Sequence, residues 1–156
     1  TKDYNPEEKL KELGIQLSSP SSPVANYVNT VRTGNLIFIS GKGPLKSDGN
    51  YVLGKLGENL TLEQGYEAAR LTAINLISTL KASIGDLSKV KRIVRVTGMV
   101  NATSNFTDHP KVVNGCSDLL VEVFGDNGKH TRAAVGMNSL PLNIAVEIDM
   151  VVEVYN

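Results

Sequence analysis

The sequence has one cysteine, two histidines and no tryptophan in 156 residues. A lone Cys116 cannot close an internal disulfide. With only His109 and His130 beside it, no Cys/His ligand spacing exists, and no structural or catalytic zinc is expected. Charge of one sign is also missing. Sixteen Lys and Arg balance sixteen Asp and Glu, so no long-range field draws nucleic acid or an anionic membrane surface. Aromatic residues make up 5% of the chain, too few to interleave with basic residues as stacking platforms for bases. Long apolar runs are absent as well. LIFIS at 36–40 and MVVEV at 150–154 are strand-sized and fall far below the ~20 residues of a membrane span. The opening TKDYNPEEKLKELGI is charged and has no apolar signal core, so a reducing cytoplasm is the expected setting. No G-x-S-x-G elbow or dinucleotide fingerprint is present. The SGKGP passage at 40–44 lacks the spacing and Lys-Ser/Thr ending of a phosphate loop, although its amides at a strand end suit an anion or a plain turn.

What is there suits one core, since 41% of the chain is hydrophobic. In NPEEKLKELGI, Asn5 is an N-cap, Pro6 takes the first helical position and Gly14 is a stop, which predicts a short amphipathic helix. SSPSSP at 18–23 is a polar connector, and residues 1–26 read as an N-terminal helical extension with its connector. From Tyr27 the text YVNTVRTGNLIFISG predicts two antiparallel strands joined at Thr33-Gly34-Asn35, with Tyr27 on the first of them. Residues 41–59 hold five glycines and a proline and read as a long loop with a β-ribbon at its tip. Thr61-Leu-Glu-Gln64 has capping-box form. Apolar residues at 62, 66, 69, 73, 76, 77, 80 and 84 then trace one helical stripe until Gly85.

KVKRIVRVTGMV at 89–100 is apolar on both sides and reads as a central strand. A second long helix is expected from Asp108 to Phe124, with Cys116 on its apolar stripe as a core thiol. Two strands close the chain. In the last, residues 144 to 154 alternate, with Glu147, Asp149 and Glu153 opposite the apolar row. The order β-β-α-β-α-β-β gives an α+β two-layer sandwich in which two helices cover one face of a single mixed sheet. Because 89–100 is apolar on both sides, the second face is expected to be buried in an oligomer.

One stretch carries candidate chemistry. In HTRAAVGMNSLP at 130–141, Arg132 shares its side of a strand with only Ala134 and Gly136, and the missing bulk reads as room for a ligand. Glu147 likewise faces away from the apolar row of the last strand. If the two strands are neighbours, both charges lie on the face that the helices leave bare. A guanidinium matches a carboxylate in two places, and an ionised Glu takes a proton from water. The bland alternative is a cross-strand ion pair contributing about 0.5 kcal/mol and doing nothing else.

The run R-A-A-V-x-x-x-x-L-P at 132–141, followed by V-E-I at 146–148, resembles the YjgF/Rid family of reactive-intermediate deaminases, also called endoribonuclease L-PSP-like. Tyr27, the passage ending at Ser40-Gly41, and Asn114 add to the resemblance, which runs from about residue 27 to 154 of a domain at 27–156. It implies a chorismate-mutase-like fold, a homotrimer with ligand clefts between subunits, and no cofactor. It also implies hydrolysis of enamine or imine intermediates such as 2-aminoacrylate to 2-keto acids and ammonia. Arg132 would bind the substrate carboxylate and Glu147 would position or activate water, with Tyr27, Ser40, Gly41, Asn114 and Ala134 at other cleft positions. Active members commonly carry Cys or Ser where this chain has Ala134, and residues 1–26 and 41–59 are longer than in compact members. This marks a divergent branch. A non-catalytic small-carboxylate binder and an RNA-cleaving translation inhibitor are the alternative readings.

Overall fold

Asn5 opens the chain's first helix as its sequence suggests, its side chain accepting from the backbone N–H of Glu7 and Glu8. The computed structural model describes residues 4–156; residues 1–3 of the expected extension lie outside them. Helix α1 spans Pro6–Glu12 and buries Leu10 in the main core. Glu7 ties it down, meeting Lys81 at 2.7 Å. Strands β1 (Thr30–Thr33) and β2 (Leu36–Lys42) form the expected hairpin, with Gly34 at φ +57 in the turn. Tyr27 falls outside it. The strand begins at Thr30, and the Tyr27 amide turns back to the carbonyl of Ala25.

Helix α2 (Leu62–Ile84) carries the full capping box, Thr61 and Gln64 each bonding the other's backbone. Strand β3 (Val90–Asn101), helix α3 (His109–Phe124), strand β4 (Thr131–Met137) and strand β5 (Val146–Val154) follow. The sheet order is β1-β2-β5-β3-β4, antiparallel except for the parallel β3–β4 pair, so β3 is internal as its sequence implied. The loop after β2 carries the expected small ribbon, with Leu45 bridging Tyr51.

Alternation along β5 sorts the sheet into two faces. Val146, Ile148, Met150, Val152 and Val154 are buried beneath α2 and α3, whereas Glu147, Asp149, Val151 and Glu153 are half-buried on the other side. The helices can lie close because glycine stands at their contact: a Cβ on Gly115 would sit 2.0 Å from the Tyr66 carbonyl oxygen. The uncovered face exposes Val31 (55%), Phe38 (45%) and Val135 (40%). No helix among the described residues is long and apolar enough to cross a membrane.

Candidate functional site

Arg132 sits near the start of β4, one of the sheet's two edge strands, with β3 between it and β5. Its row on β4 runs Arg132, Ala134, Gly136. These residues pair with Val96, Gly98 and Val100 of β3, which in turn face Met150, Ile148 and Val146 of β5. All of those partners are buried on the helix side, so the row faces α3 and not the bare face. The expectation that Arg132 and Glu147 share the bare face is therefore overturned. β3 separates their strands by about 10 Å of sheet, and they point to opposite sides of it. The cross-strand ion pair fails for the same reason.

The space beside Arg132 is also not empty. Helix α3 fills it: Ala134 packs against the core, a Cβ on neighbouring Gly98 would strike Val113, and one on Gly136 would lie 2.3 Å from His109 Nε2. The small residues admit a helix. Over Arg132 itself α3 presents polar groups, so the guanidinium Nη1 donates to Asn114 Oδ1 at 2.8 Å and to Ser117 Oγ at 3.1 Å. The Ser117 hydroxyl lies 2.9 Å from His130 Nε2, and His130 Nδ1 lies 2.7 Å from the Gly128 carbonyl. Burial, with Arg132 adding to it, lowers the His130 pKa below the usual histidine value despite the Gly128 contact. Cys116, one residue before Ser117, is a core thiol pushed up to about 12 by burial.

Glu147 stands on the bare face beside a β-bulge. Ile39 pairs with Met150 and Lys42 with Ile148, so Ser40 and Gly41 together oppose Asp149. The bulge brings the backbone under the carboxylate: a Cβ on Gly41 would be 2.8 Å from Glu147 Oε2. Partial burial raises the Glu147 pKa above the ordinary carboxylate value, and Asp149 adds repulsion in the same direction. Asp149 is raised by burial too, offset by Arg95 and by a hydrogen bond from Thr97. Ser40 Oγ is spent on the Val28 carbonyl at 2.7 Å. Ser40 and Gly41 line a depression of about 410 Å³ with Val31, Phe38, Arg95 and Asp149.

The sequence-designated residues thus form two groups. Arg132 and Asn114 meet directly at the edge of the helix-covered side, and Gly41 and Glu147 meet on the bare side. Ser40 adjoins the second group, while Tyr27 is half-exposed before β1. Ser117 and His130 were missed, though their spacing carried a signal. Asn114 and Ser117 are i,i+3 on a helix, and His130 and Arg132 are i,i+2 at a strand.

A five-stranded mixed sheet with two long helices on one side and the other side bare defines the chorismate-mutase-like class of α+β proteins. Within that class the match is specific. The family model described as "YjgF/chorismate_mutase-like, putative endoribonuclease" fits residues 7–154, and the chain belongs to that family. It is 42% identical over 148 residues to "Protein TCP17" of Trypanosoma cruzi, covering 94% of this chain and 92% of that protein. Among solved structures, protein Atu1372 from Agrobacterium tumefaciens, described as having unknown function, is 41% identical with a TM-score of 0.90. That match covers 96% of this chain and 92% of the other. A structure described as "a putative endoribonuclease" from Shewanella oneidensis is 34% identical with a TM-score of 0.93, covering 96% and 99%.

Proposed function

We propose that the protein hydrolyses small imine or enamine carboxylates to 2-keto acids and ammonia, without a cofactor, in clefts shared between copies of a homotrimer. The observation that carries this reading is the separation of the two groups. One chain holds a cation fit for a carboxylate on one side of its sheet and a proton-accepting carboxylate on the other. A neighbouring copy docked on the bare face brings the Arg132 of one chain to the Glu147 of the next. Exposed Val31, Phe38 and Val135 give that face the apolar surface such docking buries.

In the cleft, Arg132 neutralises and orients the substrate carboxylate. Ionised Glu147 accepts a proton from water as the water oxygen bonds to the C=N carbon, and the C=N electron pair moves to nitrogen, which takes that proton from Glu147. The resulting carbinolamine re-forms a carbonyl as its hydroxyl proton passes by way of Glu147 to the nitrogen, the C–N bond breaks and ammonia leaves. The imine is already electrophilic, so placement and charge neutralisation suffice. Buried, unpaired Cys116 suits a reducing cytoplasm.

Keto-acid release from amino-acid-derived imines is the direct test. Arg132→Ala and Glu147→Gln each abolish it. Mixing the two variants during assembly restores about a quarter of wild-type activity, the statistical share of clefts that draw both intact residues. No recovery in mixed oligomers removes the shared cleft, and unchanged turnover in Arg132→Ala removes the reaction. Stabilisation by 2-oxobutanoate without turnover on any imine favours the non-catalytic binder. The endoribonuclease wording belongs to the family description and the Shewanella relative. Balanced charge and few aromatics give this chain little to hold RNA. RNA cleavage that survives purification and vanishes in Arg132→Ala would reinstate it.

A further inference from the structure

The hydrogen bonds around Arg132 have a direction. A carbonyl only accepts, so the Gly128 oxygen fixes the His130 proton on Nδ1 and leaves Nε2 with its lone pair outward. Nε2 therefore accepts the Ser117 hydroxyl hydrogen, which turns a hydroxyl lone pair toward the guanidinium. The anchor is firm, because the turn at Gly125–Gly128 lies directly on α3: a Cβ on Gly128 would stand 2.2 Å from the Leu120 carbonyl oxygen. Nη1 has two hydrogens, and Asn114 Oδ1 and Ser117 Oγ take both. Among the described residues, Nε and Nη2 of Arg132 have no hydrogen-bond partner. Their hydrogens point the same way along one edge of the planar group, which is the edge that grips a carboxylate by two parallel bonds.

We propose that Ser117 and His130 are positioning residues for Arg132: the Gly128–His130–Ser117 relay, with Asn114, occupies Nη1 and so presents the Nε–Nη2 edge to the carboxylate of a 2-oxo or 2-imino acid. Neither residue touches the substrate. Their role rests on the reading of Arg132 as the carboxylate clamp. It adds which edge of the guanidinium binds and what holds that edge still. With Asn114 still on Nη1 the guanidinium stays in place and still orients the carboxylate, so losing the relay weakens the grip in ground and transition states alike and shows in KM alone.

The test uses the full chain with 2-oxobutanoate as probe for Kd and an imine substrate for KM and kcat. Ser117→Ala raises Kd and KM about tenfold and leaves kcat within about twofold, the scale of one lost hydrogen bond to a charged group. Ser117→Thr, which keeps the hydroxyl, restores Kd to within about twofold of wild type. His130→Phe keeps a ring but removes the acceptor and raises Kd about threefold. If Arg132→Ala loses 2-oxobutanoate while Ser117→Ala binds it like wild type, the relay is overturned and the clamp stands. If Arg132→Ala binds it like wild type, the functional reading itself is overturned. A fall in kcat at unchanged KM in Ser117→Ala, or no rescue by Ser117→Thr, also overturns the positioning role.

Discussion

The two faces of the sheet are built from the same five strands and obey different rules. Under the helices, side chains are large, apolar and sealed, and Gly98, Gly115 and Gly136 stand where a neighbouring helix leaves no room. On the bare face, charges sit between exposed apolar residues, and Gly41 makes room for a carboxylate rather than for a helix. The covered face holds the protein together. The bare one carries half-buried carboxylates whose burial disfavours their charge, an arrangement that the proposed shared cleft would put to use.

Two apolar residues three positions apart on β5 give the largest test of this contrast. Ile148→Ala, on the covered face, costs about 4 kcal/mol through lost transfer energy and a cavity, whereas Val151→Ala on the bare face costs less than about 1 kcal/mol. Urea unfolding of the two variants checks it, and similar costs would erase the distinction. Two glycines give the next. Gly115→Ala drives a Cβ into the Tyr66 backbone, which cannot rotate away, and costs about 3 kcal/mol. Gly41→Ala meets only the end of the Glu147 side chain, so it costs less than about 1 kcal/mol in stability yet lowers imine turnover by displacing that carboxylate. A large stability loss at Gly41 would put it on the same footing as Gly115.

The smallest effect is one of sign. The folded-state pKa of Glu147 is raised, so the folded protein binds that proton more tightly than the unfolded chain does. Stability from this group is present at acid pH and is lost as pH rises from about 4.5, the ordinary value, through the raised one. Glu147→Gln escapes that loss. Its stability relative to wild type rises across the window and levels off above the raised value, as thermal unfolding between pH 4 and 8 will show. A gain that instead grows toward acid would mean that Glu147 is stabilised as an anion.

Much of the architecture was legible because it rests on local rules. The capping box at Thr61, the caps at Asn5 and Gly85, and the strict alternation from Val146 to Val154 are written in spacings of two to four residues. The amphipathic stripes of α2 and α3 then called for a single sheet beneath them, which the fold supplies. Two local readings failed. The expected first strand starts three residues after Tyr27, and the small residues beside Arg132 admit a helix where they suggested an empty pocket.

The sequence by itself determined which residues carry charge opposite an apolar row, because alternation along one strand needs no knowledge of its neighbours. It could not assign those charges to a face. The side of a strand that meets the helices depends on which strand lies next to it and in what register, and the register through β3, which aligns Arg132 with Val96 and Val96 with Met150, put Arg132 and Glu147 on opposite sides. The relay through Ser117 and His130 was equally a tertiary decision. It joins i,i+3 on a helix to i,i+2 at a strand across a gap of 13 residues, and only the packing of α3 on β4 closes that gap to hydrogen-bond length.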